Sequence, residues 1–257
     1  MTDTGPDFVC LDGVRKVFMI GKTEFLAVQD VSLNVQEGEL VSIVGPSGCG
    51  KSTVLSILAG LHAASEGTVE IGNDTSPFVP GRDVGMVFQK ALLLKWRTVL
   101  DNVLLPAEIL GLPRRESLER ARYLLRMVGI ETFADAYPQQ LSGGMQQRAA
   151  IARALVHDPK LILMDEPFGA LDALTRERMN LELLRIWRES GKTILFVTHG
   201  IQEAVFLGSK VAVMTAGPAR MAEYMSIDLP EPRTLDVKTT PQFGDYTRRI
   251  YHLLGMQ

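Results

Sequence analysis

Cysteine is scarce in this chain, with two in 257 residues, Cys10 and Cys49. Two cysteines cannot make a disulfide framework, which points to a reducing compartment. Charge of one sign is missing as well: 27 Lys+Arg against 30 Asp+Glu leave a net of −3. No strong positive field would draw such a chain onto nucleic acid or anionic lipid. Long apolar runs are absent, and stretches such as Leu161–Met164 and Ile194–Val197 are far too short to cross a bilayer. The start, Met1 to Asp7, is polar and acidic. No basic region leads into an apolar run there, so no secretory signal is expected. These absences exclude a membrane span, a small disulfide-stapled secreted scaffold and a basic nucleic-acid arm.

What is present is an ordinary globular mix, 46% hydrophobic and 22% charged. The length suits one large domain or two small ones and is ample for a core. Short runs rich in Val and Ile alternate with longer helical patterns, as in an α/β chain with a largely parallel sheet. The first stretch differs. Val9–Met19 and Val28–Val35, with turn signals at Gly21–Lys22 and Glu37–Gly38, predict antiparallel strands joined by Thr68–Ile71. Val41–Val44 predicts a strand running into Gly45, followed by a helix from about Lys51 to Gly60. Val84–Phe88 is a further strand, ending at Gln89. From about 91 to 156 the pattern is helical, and strands return at Leu161–Met164, Thr193–Thr198 and Val211–Thr215. An amphipathic segment, Thr175–Ser190, precedes Gly191. The expected fold is therefore α/β, with an N-terminal antiparallel β subdomain and an inserted helical subdomain. The stretch after Pro218, with Pro230, Pro232 and Pro241 and a short helical pattern at Tyr246–Leu254, reads as a peripheral extension.

Gly45-Pro46-Ser47-Gly48-Cys49-Gly50-Lys51-Ser52, followed by Thr53, fits G-x-x-x-x-G-K-[ST] between a strand and a helix. Converging backbone N–H groups on phosphate oxygens requires glycine where side chains would collide or φ must be positive. The new helix adds its positive end. Lys51 supplies a charge for the β- and γ-phosphates, and the Ser52 hydroxyl suits Mg²⁺, a hard ion that prefers oxygen. Cys49 reads as a filler of the right size. The alternative, a plain glycine turn before a capped helix, is disfavoured by the strand and helix on either side.

Leu161–Met164 ends in Asp165-Glu166. A strand buried on both faces has this composition, and ligands of open α/β sheets bind beyond the strands' carboxyl ends. Asp165 is suited to hold Mg²⁺ through water, and Glu166 to orient the attacking water. Gln89 is either a surface glutamine or an amide touching the metal or water. His199 is either structural or a partner of a γ-phosphate. Ser142 is a natural N-cap of the helix that runs to Val156, and Gly143-Gly144 leave its amides bare. That arrangement is either a capped helix with a loose entry or a second anion site.

Taken together, these motifs resemble the nucleotide-binding subunit of an ABC transporter, from about Phe8 to Pro232. They follow the family's order: Walker A at Gly45–Ser52, Q-loop at Gln89, signature at Leu141–Met145, Walker B at Leu161–Glu166, D-loop at Ala170–Asp172 and switch at His199. The resemblance implies a P-loop NTPase with a RecA-like core, an ABC ATPase domain over residues 8–232 with its helical subdomain at about 91–156, and a short extension over 233–257. It implies ATP and Mg²⁺, the latter at Ser52, Gln89 and Asp165, with catalysis by Glu166, His199 and Gln89. Phe18 falls where the family stacks an aromatic on adenine; a core strand side chain is the alternative.

The resemblance further implies a head-to-tail dimer with a second copy, in which Ser142 and Gly144 act on the partner's ATP and Asp172 links the two sites. It implies integral membrane permease subunits, received by a groove near Leu92–Trp96, and indirectly a solute-binding protein, on the cytoplasmic face of the inner membrane. It implies no nucleic-acid partner. Trp96–Val99, Asp101–Val103, Tyr137–Gln140, and Phe168–Ala173 with Thr175-Arg176 resemble importers of the nitrate/sulfonate/taurine type. An exporter or lipid-handling system is the nearest alternative. Soluble ABC proteins acting in repair or translation carry two cassettes or long arms, for which this length leaves no room. Three positions depart from the family's common pattern: Met145 for Gln, Gly200 for the Asp after the switch His, and Lys95 for Pro.

Overall fold

β-Branched side chains fit a pleated, buried surface, and the Val- and Ile-rich runs all become strands. The computed structural model describes residues 7–72 and 78–256. Met1–Pro6 of the acidic start lie outside the described residues. In chain order the elements are β1 (Asp7–Ile20), β2 (Thr23–Gln36), β3 (Leu40–Val44), α1 (Lys51–Leu58), β4 (Glu66–Ile71), the single turn α2 (Pro80–Asp83) and β5 (Val84–Phe88). Then come α3 (Val99–Ile109), α4 (Arg114–Met127), α5 (Gly143–Leu155), β6 (Leu161–Asp165) and α6 (Ala173–Ser190). The chain closes with β7 (Thr193–Thr198), α7 (Ile201–Leu207), β8 (Lys210–Met214), β9 (Ala219–Ser226) and α8 (Pro241–Leu253). These elements group into two compact units, Met1–Pro80 with Thr193–Gln257, and Gly81–Lys192.

In the first unit the strands run in the order β4-β1-β2-β9-β8-β3-β7. β1 pairs antiparallel with β2 and β4, as the sequence predicts. β3 lies between β7 and β8, parallel to both, and all five of its residues are buried. A strand enclosed on both faces need not alternate, and Leu40–Val44, apolar apart from the buried Ser42, shows no period of two.

The stretch after Pro218 is not merely peripheral. It opens with β9, an interior strand parallel to β2 and antiparallel to β8. Only Ala219 and Met225 of its eight residues are buried. Backbone pairing rather than an apolar face defines this strand, so hydrophobic periodicity does not reveal it. Further on, Arg233 is buried and its guanidinium donates to the carbonyls of Val205, Phe206 and Gly208 at 2.9–3.2 Å. Those are acceptors that the end of α7 leaves open. α8 is capped by Thr240, whose side chain accepts from Phe243 N, and buries Phe243, Thr247 and Ile250.

In the second unit β5 and β6 pair in parallel, with Val84 opposite Leu161 and Phe88 opposite Asp165. The stretch from 91 to 156 holds α3, α4 and α5, but residues 89–98 form a loop ahead of α3. Asn102, fully buried, organises that loop. Its amide donates to the carbonyls of Leu94, Arg97 and Thr98 and its oxygen accepts from Leu94 N at 2.6 Å. Arg153 of α5 donates to the carbonyls of Ala91 and Leu92 at 2.6 and 2.8 Å. The loop after Gln89 thus has a fixed course without being helical or strand.

Candidate functional site: a nucleotide cradle and its acidic and signature segments

In the first unit the phosphate loop runs from the end of β3 to α1. Its glycines are there for identifiable reasons. A Cβ on Gly45 would stand 2.3 Å from the Met214 carbonyl oxygen. Gly50 has φ +103, and a Cβ there would meet Ala27 O at 2.7 Å and Ala219 Cβ at 2.8 Å. The overlooked strand β9 therefore shapes the cradle. Gly50 is also the N-cap of α1 and offers no side chain to its amides. Bare amides at a helix start are anion donors.

Lys51 is 4% exposed, and its Nζ donates to the carbonyls of Gly45 and Pro46 at 2.8 and 2.9 Å. The ammonium is thus tethered to the loop rather than loose in solvent. Cys49 is buried, whereas Ser47, Gly48 and Ser52 are exposed; Pro46 and Thr53 are half-buried. Val44 of β3 is the register partner of Thr198 of β7. Gly45 and His199 consequently leave neighbouring strands at the same level, and His199 is exposed. Phe18 is half-buried, its ring edge-on to His62 at 5.2 Å, with Lys16 Nζ 4.9 Å from its centre. It is not a core side chain.

In the second unit the first four residues of β6 are buried and Asp165 is half-buried at its end. Glu166 then takes φ +46, a left-handed conformation that non-glycine residues seldom adopt. Its carbonyl accepts from Gly169 N at 3.0 Å, closing a tight turn. Because Phe88 faces Asp165 in register, Gln89 and Glu166 leave paired strands together. A Cβ on Gly169 would come 3.1 Å from Gln89 Nε2, so this glycine leaves room for the glutamine amide. Gln147, 3% exposed on α5, donates to the Phe88 carbonyl at 3.0 Å and anchors the residue before Gln89. Gln147 lies two residues past the signature Leu141–Met145, and only the fold reveals this role.

Ser142 caps α5, accepting from Met145 N at 3.4 Å. Gly144 lies against α6, where a Cβ would meet Thr175 Cγ2 at 3.1 Å. Asp172 caps α6, accepting from Thr175 N at 3.0 Å, and its bonds to Thr175 hold its carboxyl below the usual range. Arg176 donates to the carbonyls of Phe168 and Leu171. The starts of α5 and α6 are thereby brought together around a hollow of about 330 Å³ lined by Ser142, Gly144, Met145, Arg148, Thr175 and Arg178.

A glycine loop that bares the first amides of a helix, set on the end of a buried parallel strand, places the chain among the P-loop nucleotide hydrolases. More narrowly, the family model described as ABC transporter matches residues 28–169, and the chain belongs to that family as an ATP-binding, ATP-hydrolysing subunit. The chain is 46% identical over 245 residues to an ABC transporter ATP-binding protein of Methanocaldococcus jannaschii, covering 95% of this chain and 90% of that protein. It is 45% identical to the taurine import ATP-binding protein TauB of Rhizobium johnstonii, covering 89% and 88%. It is 40% identical to the nitrate import ATP-binding protein NrtD of Synechocystis sp., covering 94% and 92%. A solved ATP-binding cassette, dimeric in a post-hydrolysis state with ADP and Pi, matches with TM-score 0.72 and 38% identity over 86% of this chain and 99% of that one. Among the described residues no helix is long and apolar enough to cross a membrane.

Proposed function

We propose that the chain energises an importer of a small solute, of the nitrate, sulfonate or taurine kind, from the cytoplasmic face of the membrane. The observation that carries this reading is an apolar hollow in the second unit. It has a volume of about 360 Å³ and is lined by Met86, Phe88, Leu92, Leu105, Pro106 and Ile109 among others. Leu92 and Ile109 are 57% and 75% exposed, and nearby in sequence Trp96 is 74% exposed. So much apolar surface around the organised loop suits a permease helix. The identities to taurine and nitrate import subunits support the solute class. Pull-down from membranes tests this reading: a multi-helix permease partner with solute uptake is expected, and a ribosome or nucleic-acid partner would sink it.

In this reading residues 8–232 form the cassette, about 91–156 its helical insert and 233–257 an extension. Gly45, Pro46, Ser47, Gly48, Cys49, Gly50 and Thr53 form the phosphate cradle, Lys51 faces the β- and γ-phosphates and Phe18 stacks on adenine. Glu166 positions the attacking water, and His199 contacts the γ-phosphate. Ser142 and Gly144 close over the nucleotide of a second copy, and Asp172 links the two sites; the dimeric solved relative supports this. Ser52, Gln89 and Asp165 would hold Mg²⁺. These are oxygen donors, and no group of three or more His, Cys, Asp or Glu is placed to hold a metal among the described residues. That donor set fits a cation which shares its coordination with phosphate and water. Bound Mg²⁺ would neutralise charge developing on the phosphates. Glu166→Gln is expected to lower kcat by about 100-fold or more while ATP still binds, because the amide cannot accept the water's proton. Hydrolysis at the parental rate in a phosphate-release assay would remove Glu166 from this role.

A further inference from the structure

We infer that Glu203 is a positioning residue for ATP hydrolysis, acting through the Thr198 hydroxyl to fix the backbone that carries His199. The inference rests on His199 being the γ-phosphate contact.

Thr198 ends β7 and is 2% exposed. Its Oγ1 lies 2.9 Å from Gly200 N and 2.5 Å from Glu203 Oε2. The amide can only donate, and an ionised carboxylate can only accept. With Glu203 ionised, the hydroxyl donates to Glu203 and accepts from Gly200. The bond to an amide two residues on is a side-chain turn, which sets the backbone angles around the residue it spans. That residue is His199. The preceding backbone is fixed independently, because Thr198 is in register with Val44.

The imidazole itself is exposed, so burial does not aim it. The backbone that carries it is held on both sides. Gly200 contributes no carboxylate of its own; a Cβ there would lie 3.3 Å from Glu203 Cβ and 3.6 Å from Glu203 Oε2. The carboxylate beside the switch loop comes instead from the first turn of α7. A charge-assisted bond is stronger than a neutral one, which suits a group that must meet a transferring phosphoryl within a fraction of an ångström.

Thr198→Val keeps the volume and removes the hydroxyl. It is expected to lower kcat by about 10- to 100-fold with KM and calorimetric ATP affinity within about twofold, as misplacement of a reacting partner does. Thr198→Ser should restore kcat to within about threefold of the parent. Glu203→Ala should lower kcat in the same way, and the double variant Thr198→Val with Glu203→Ala should be no slower than the worse single one. Parental kcat in Thr198→Val, or losses that multiply in the double variant, would overturn the inference. If Thr198→Val does not fold, Glu203→Ala decides alone: an unchanged kcat overturns it. His199→Ala separates the two levels. Parental hydrolysis in His199→Ala removes the phosphate contact, whereas a slow His199→Ala beside a normal Thr198→Val removes only the clamp.

Discussion

Lys51 shows how much a single side chain depends on its loop. A buried ammonium must be bonded, and the carbonyls of Gly45 and Pro46 hold it at the mouth of the cradle. Lys51→Ala is expected to weaken ATP binding at least tenfold in calorimetry, since a charge-assisted bond to phosphate contributes about 1.5–3 kcal/mol. Unchanged affinity would contradict the proposed role. Glu166 makes the complementary point, because its left-handed backbone is enforced by the turn to Gly169 and directs the chain away from β6 at the carboxylate. Both residue types were legible in the sequence as chemistry. The bonds that aim them were not, because they join backbone atoms whose positions only the folded loop defines.

Helix starts and one loop illustrate the next scale. Asp172 caps α6 and is easier to ionise in the folded chain than in the unfolded one. Its contribution to stability is therefore complete above the unfolded value of about 3.9 and fades as pH falls through the lower folded value. Asp172→Ala should lower the melting temperature at neutral pH, and the gap to the parent should close in scans carried down through that acid range. Asn102 is the larger case. Asn102→Ala removes four hydrogen bonds; the Leu94 and Thr98 carbonyls keep the backbone amides of Arg97 and Asn102, whereas the Arg97 carbonyl and the Leu94 amide lose this partner, at a cost of about 2–3 kcal/mol. Thermal unfolding should begin roughly 5 °C or more lower, and limited proteolysis should cut between Leu92 and Thr98. A parental melting temperature with an intact loop would show that Asn102 is dispensable.

At the scale of the molecule, the motifs occur once each, so one copy supplies one cradle and one signature helix. Ser142→Arg adds a long cation at the exposed cap of α5 and leaves the phosphate loop untouched. The variant should bind ATP with parental affinity but fail to dimerise with ATP on size exclusion, judged in a Glu166→Gln background that retains nucleotide. A normal ATP-driven dimer would argue against the signature acting on a second copy. The mild net charge fits docking through a shaped apolar surface, since exposed Leu92, Trp96 and Ile109 offer area rather than charge.

The family, the order of its motifs and most strands followed from sequence alone. The reason is local: a glycine loop before a helix, an apolar run ending in two acids and a capped helix start are each written in consecutive residues. Three things required the tertiary structure. β9 is held by backbone pairs to β2 and β8 and carries little apolar signal, yet its Ala219 is one wall against which Gly50 must be a glycine. Gln147 and Arg153 brace the chain on either side of Gln89 from nearly 60 residues away or more, a separation that no local pattern encodes. The link from Glu203 through Thr198 to Gly200 spans only six residues, but its meaning depends on a donor, an acceptor and a hydroxyl meeting at hydrogen-bond distance, which only folded coordinates decide.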